Sequence, residues 1–148
     1  GLALAHEFQV TGLAQWIGSN LEILKAVPVL AAVLVVAVSM AILTEVTSNT
    51  AITSIFMPIL AATSLGLGIH PYLLMIAGTI AASLAFMLPV ATPPNAVVFG
   101  SGYLSIPTMA KTGVGLDILG IIVTTAIVYL LAIPVFHITI SVLPAWVR

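Results

Sequence analysis

Cysteine is absent from these 148 residues. That excludes a disulfide framework and any thiolate-held metal. Charge is scarce as well. Three Lys or Arg and four Asp or Glu make up 5% of the chain, against about a quarter in a soluble domain. So few ionic side chains cannot cover a water-facing surface. The basic patch that nucleic-acid binding requires is missing, and the net charge is -1. A single aspartate, Asp117, excludes an intramembrane aspartyl protease, which needs two. No HExxH helix exists for a zinc protease. His6, His70 and His137 are too scattered for a metal cluster and suit loops or interfaces.

What is present is apolar: 61% hydrophobic residues and a mean hydropathy of +1.32. The class is integral membrane, with the lipid bilayer as solvent. The chain starts with Gly and shows no signal pattern, so a piece of a longer protein is one reading.

The pattern predicts an all-α membrane fold in four parts. Residues 1–25 form an interfacial segment, with Trp16, Glu22 and Lys25 at headgroup level. Residues 26–65 hold two apolar runs around the polar stretch TEVTSNT, with a tip at 44–50. Pro28 falls near the start of the first run, where its missing N–H is harmless. Residues 72–110 form a discontinuous helix broken at 89–95. Residues 116–143 form a C-terminal transmembrane helix, with Pro134 a candidate kink. Asp117 would open that helix, where negative charge is favoured.

The runs 26–43 and 51–65 are short for full spans, which need about 20 apolar residues. Two readings follow. One is a pair of complete spans with a turn in water. The other is a re-entrant hairpin whose tip stops inside the protein, which is allowed only where backbone is buried or lines a cavity. The second break favours the hairpin. Pro89, Pro93 and Pro94 cannot share one unbroken helix. Helices over 51–65 and 72–89 would rise about 22 Å and return about 26 Å at 1.5 Å per residue, bringing both breaks to similar depth. Interrupted helices that meet near the midplane build the binding sites of many secondary transporters. Their N-termini offer free N–H groups to an anion, and their free carbonyls suit a cation such as sodium.

The run SNT within TEVTSNTAITSIFMPI, followed by LPVATPPNAVVFGSG, resembles the C-terminal half of the divalent-anion/sodium symporter family. That family comprises sodium-coupled dicarboxylate, citrate and sulfate carriers. The resemblance implies one repeat of an inverted-repeat fold, a re-entrant hairpin plus a discontinuous helix, in a homodimeric multi-pass carrier of the inner or plasma membrane. It also implies an N-terminal repeat with its own SNT, absent here. It places sodium on Thr44, Thr47, Asn49 and Ala91, several through backbone oxygen. The substrate carboxylate falls on Ser48, Asn49 and Thr50, with Thr92 and Pro93 on the opposite wall. No other cofactor and no enzymatic activity are implied. The expected cargo is a C4-dicarboxylate such as succinate; sulfate, another anion, or a non-transporting structural subunit are the alternatives. The resemblance puts Lys111 in the cytoplasm.

The same residues have plainer readings. Ser and Thr in membrane helices often bond back to the chain or join helices. Glu45 is either a coupling-ion ligand or the partner of a basic residue elsewhere in the carrier, the second being favoured. Asn95 reads as a helix cap. Neither break carries a basic residue. A buried dianion there would need counter-charge from helix dipoles, from the absent repeat or from bound cations, and bound cations fit the oxygen-rich tip best.

Overall fold

The computed structural model describes residues 10–12, 16, 28–140 and 142–144. The interfacial segment expected over 1–25 lies almost wholly outside the described residues, as do His6, Lys25 and Arg148.

Every regular element among the described residues is helical. Helix α1 is Val29–Thr44, a Val/Ala/Leu run entered through Pro28 as N-cap. Helix α2, Asn49–Leu67, follows after four residues and contains Pro58. It ends on Gly68 at φ 70, where Gly68 N–H bonds Leu65 O and Ile69 N–H bonds Ser64 O. That paired ending needs a left-handed residue, and glycine adopts it without steric cost. Helix α3 is Pro71–Ala81. His70 caps it, its Nδ1 accepting from Tyr72 N–H at 3.3 Å.

Helix α3 is the hub. It packs against α1, α2 and helix α5, Ile106–Ile127. Leu73, Leu74, Ala77 and Ala81 are fully buried there. One core cluster joins Val33, Leu60, Leu73, Leu74, Ala77 and Val128. A second, beside the tip, joins Ala37, Met40, Ile52, Ala81 and Ala82. Away from these contacts the helices expose Val35, Ile42, Leu119, Ile122 and Leu130, as expected of surfaces that meet lipid or other protein. Asn49–Leu67 and Ile106–Val135 are each long and apolar enough to cross a membrane; α1 and α3 are shorter.

Three boundaries differ from the sequence reading. Helix α3 stops at Ala81, and helix α4, Pro93–Gly100, starts at the prolines. The non-helical stretch is therefore 82–92 rather than 89–95. Pro93 and Pro94 begin a helix instead of breaking one, because at the first turn their missing N–H groups have no intrahelical partner to lose. Helix α5 begins at Ile106, not near 116, capped by Ser105 whose side chain accepts from Thr108 N–H. Asp117 is consequently mid-helix, out of reach of the helix N-terminus. Near Pro134 the helix widens into a π-helical stretch, Val128–Ala132, before a last turn Ile133–Val135. The proline has no N–H for the regular bond, and the wider turn accommodates it.

Candidate functional site

The site begins where α1 ends. Thr44 is its last residue and is fully buried. Glu45 to Ser48 then turn the chain into α2. This short joint sets a helix C-terminus beside a helix N-terminus. The first favours positive charge and the second negative charge.

Most helix starts nearby are capped: Thr92 Oγ1 accepts from Asn95 N–H at 3.4 Å, and His70 and Ser105 cap theirs. Ser48, the N-cap residue of α2, makes no side-chain cap bond. Ser48 is exposed, and its side chain leaves the first N–H groups of this 19-residue helix without a cap bond. Across from them lies the 82–92 stretch. Its end and the first residue of α4 join them in lining an open cavity of about 400 Å³, bordered by residues 46–50 and 90–93. No charged side chain lines it.

Backbone without helical bonds must find other partners when water is scarce. Here side chains from both flanks supply them. Thr44 Oγ1 donates to Ala82 O at 2.7 Å. Glu45 accepts from Met87 N–H (2.8 Å) and Leu88 N–H (2.9 Å) with its two oxygens. Asn95 Nδ2 donates to Ala85 O (2.8 Å) and Leu88 O (3.0 Å). These bonds explain why α3 ends early: the tip offers the backbone stronger partners than another helical turn would. They also correct one sequence reading, the Asn95 cap, and add to another. Glu45 accepts from backbone N–H groups of the break, while the basic partner expected for it would lie beyond this chain. Asn95 ties the break from inside the helix; Thr92 is the cap.

Thr44 Oγ1 also lies 2.5 Å from Asn49 Oδ1. One hydroxyl has one proton and cannot donate to two acceptors. Turning the Asn49 amide so that its NH₂ faces Thr44 satisfies both contacts. Either way, Asn49 is tethered to the end of α1 and through it to the break. Thr47 Oγ1 donates to Leu43 O at 2.6 Å, which uses its proton and leaves its lone pairs free.

The chain matches the family described as "Sodium:sulfate symporter transmembrane region" over residues 1–138. It belongs to that symporter family.

Among curated relatives it is similar to the sodium-dependent dicarboxylate transporter SdcS of Staphylococcus saprophyticus, 45% identical over 141 residues, covering 95% of this chain and 27% of the relative. It is similar to solute carrier family 13 member 2 of Mus musculus, 44% identical over 146 residues, with 99% and 25% covered. It is similar to the Na(+)/dicarboxylate cotransporter 3 of Rattus norvegicus, 40% identical over 146 residues, with 99% and 24% covered. The chain thus spans about a quarter of the length of these relatives. It is a membrane protein of a transporter family.

Of the positions singled out from sequence, Thr47, Ser48, Asn49, Thr50, Ala91, Thr92 and Pro93 all line the cavity. Thr44 lies behind it, bonded to Asn49 and Ala82. Sequence reasoning missed the carbonyl of Ala82 and the part played by Gly113. A Cβ on Gly113 would come within 2.4 Å of Phe86 O and 2.6 Å of Met87 Cα. Only glycine lets α5 rest directly on the backbone of the break. No local signal marks Gly113 as a contact of this kind, because its partner lies more than 20 residues away.

Proposed function

We propose that this chain is the C-terminal part of a sodium-coupled secondary carrier of divalent anions, C4-dicarboxylates such as succinate being the preferred cargo. The observation that carries this reading is the joint between α1 and α2. An uncapped helix N-terminus faces a cavity with no charged lining, and a helix C-terminus ends beside it. An anion is served by the N–H groups and hydroxyls of Ser48, Asn49 and Thr50, with Thr92 and Pro93 opposite. Sodium is served by oxygens of Thr44, Thr47, Asn49 and Ala91. A buried dianion needs counter-charge, and no basic side chain lines this cavity. Bound sodium provides it. The names of the relatives, sodium-dependent dicarboxylate transporters, support the same cargo and ion.

In this reading α1 and α2 form a re-entrant hairpin, and α3 with α4 form a discontinuous helix. The two make one repeat of an inverted-repeat, homodimeric, multi-pass carrier whose other repeat lies in the remaining length of the protein. The side-chain bonds that satisfy 82–92 support backbone held at membrane depth.

The test is uptake by the full-length protein in proteoliposomes, with sodium replaced by choline at constant pH. Succinate uptake is expected to collapse in choline and to be competed poorly by sulfate. Undiminished uptake in choline would overturn sodium coupling. Stronger competition by sulfate would move the cargo to inorganic divalent anions.

A further inference from the structure

A second hollow, of about 330 Å³, opens between α1 and α5. Val38 and Ile42 of α1 wall one side, Val114 and Ile118 of α5 the other. A spacing of four residues sets each pair on one ridge of its helix. All four are 40–59% exposed, so the walls stand free. The floor is different. Ala41 and Asp117 lie there, 3% and 6% exposed. Asp117 is the only aspartate in the sequence and the only ionisable residue on this lining. Neither of its carboxyl oxygens has a hydrogen-bond partner among the described residues.

The fold sets the acid in place. Gly113, one turn before it, lets α5 rest on Phe86 and Met87. A carboxylate in such surroundings is costly unless a donor meets it. The described residues bring none. Their only Lys or Arg is Lys111, which is exposed. It sits about a third of a turn around α5 from Asp117 and about 9 Å along it. Glu45 bonds the N–H of Met87, a residue of the same lining, and so adds negative charge nearby. The groove is apolar along its walls and lacks positive charge at its floor.

Three occupants compete for it. Lipid is the first. Ile106–Val135 is long and apolar enough to cross a membrane, and Asp117 lies about 16 Å in from its start. Headgroups do not reach that depth, and acyl chains carry no donor. A second copy is the next. Pairing through the same groove would set acid against acid. The third is the rest of the polypeptide, since this chain spans about a quarter of its curated relatives. We propose that the α1–α5 groove is the docking site of another helix of the same polypeptide, which lays an apolar face between the two ridges and brings a Lys or Arg to Asp117. Apolar contact seats that helix, and the ion pair fixes its register. This goes beyond the carrier reading and shares with it only that the chain is part of a longer protein.

The experiment places the photo-reactive p-benzoylphenylalanine at Ile118 of the full-length protein, irradiates it in its membrane and maps the adduct by peptide mass. The adduct is expected within the same polypeptide, outside residues 1–148, with a Lys or Arg within one helical turn of the attachment point. Adducts on lipid alone, on a second copy, or on a segment without such a base would overturn the proposal. Asp117→Lys in the same background should lower the yield about tenfold, the scale of one hydrogen bond to a charged group. Exchanging the mapped base for Asp in that variant should restore the yield to within about twofold. Full yield in Asp117→Lys, or no recovery on exchange, would overturn the pairing. Should Asp117→Lys not fold, recovery of folding on exchange reads the same pairing, and the map in the unchanged background still decides the docking. No step measures transport, so uptake that persists in choline would refute sodium coupling and leave this proposal standing.

Discussion

Replacing Glu45 by alanine removes the acceptor of two N–H groups in a stretch with no helical bonds of its own. Hydrogen bonds to charged groups contribute about 1.5–3 kcal/mol each. Two such bonds, to Met87 at 2.8 Å and Leu88 at 2.9 Å, bound the loss at about 3–6 kcal/mol. The low end is the better figure. Both bonds are only partly buried. A local destabilisation of about 3 kcal/mol corresponds to about a hundredfold more opening. Glu45→Gln keeps one acceptor and turns an NH₂ toward the other amide, so its effect should be intermediate, about tenfold. The assay is hydrogen–deuterium exchange of the peptide covering 85–92 in the full-length carrier, referenced to a peptide within α3. The expected order of exchange is Glu45→Ala above Glu45→Gln above wild type. Equal exchange in all three would show that Glu45 does not hold the break.

Asn49→Ala in the full-length carrier should abolish uptake while the protein still inserts; normal kinetics would remove Asn49 from the site. Ser48→Ala should weaken substrate affinity by about 1 kcal/mol, the usual value of one hydrogen bond, measured as the substrate concentration for half-maximal uptake. Cysteines placed at 46–50 in this cysteine-free chain should be labelled slowly, with further protection by substrate plus sodium; fast, ligand-independent labelling would favour two ordinary spans with a turn in water. Gly113→Ala forces a methyl onto Phe86 O and should lower stability by about 1–3 kcal/mol. Gly115→Ala, with nothing within 4 Å of its added Cβ, is the control, and equal melting of the two variants would dismiss the close contact.

The polar tip and the TPPN break stood out in the sequence because an apolar chain makes every polar or proline-rich interruption conspicuous. The family was legible there as well, in SNT and ATPPNA. What escaped was decided by partners far apart in sequence. Helix α3 yields at Ala82 because Thr44 and Glu45, some 40 residues earlier, offer its backbone better bonds. Asp117 read as a helix start because hydropathy rises near it. The true start was marked by Ser105 and Pro107, a cap and an early proline. Asn95 read as a cap because Asn follows a break; its neighbour Thr92 already filled that place.

The side-chain bonds across the break also bear on mechanics. Glu45 grips it from the tip side and Asn95 from the α4 side, with Thr44 at its beginning. Pulling tip and break apart would leave several polar groups without these partners, most costly at the membrane depth proposed for them. Low-energy motions therefore leave this knot intact and carry it as one block. In the proposed carrier, any hinge that lets cargo pass then falls elsewhere, at joints with little cross-bonding. One such joint is the turn at 101–105, where side chains bond only to groups two or three residues away in sequence.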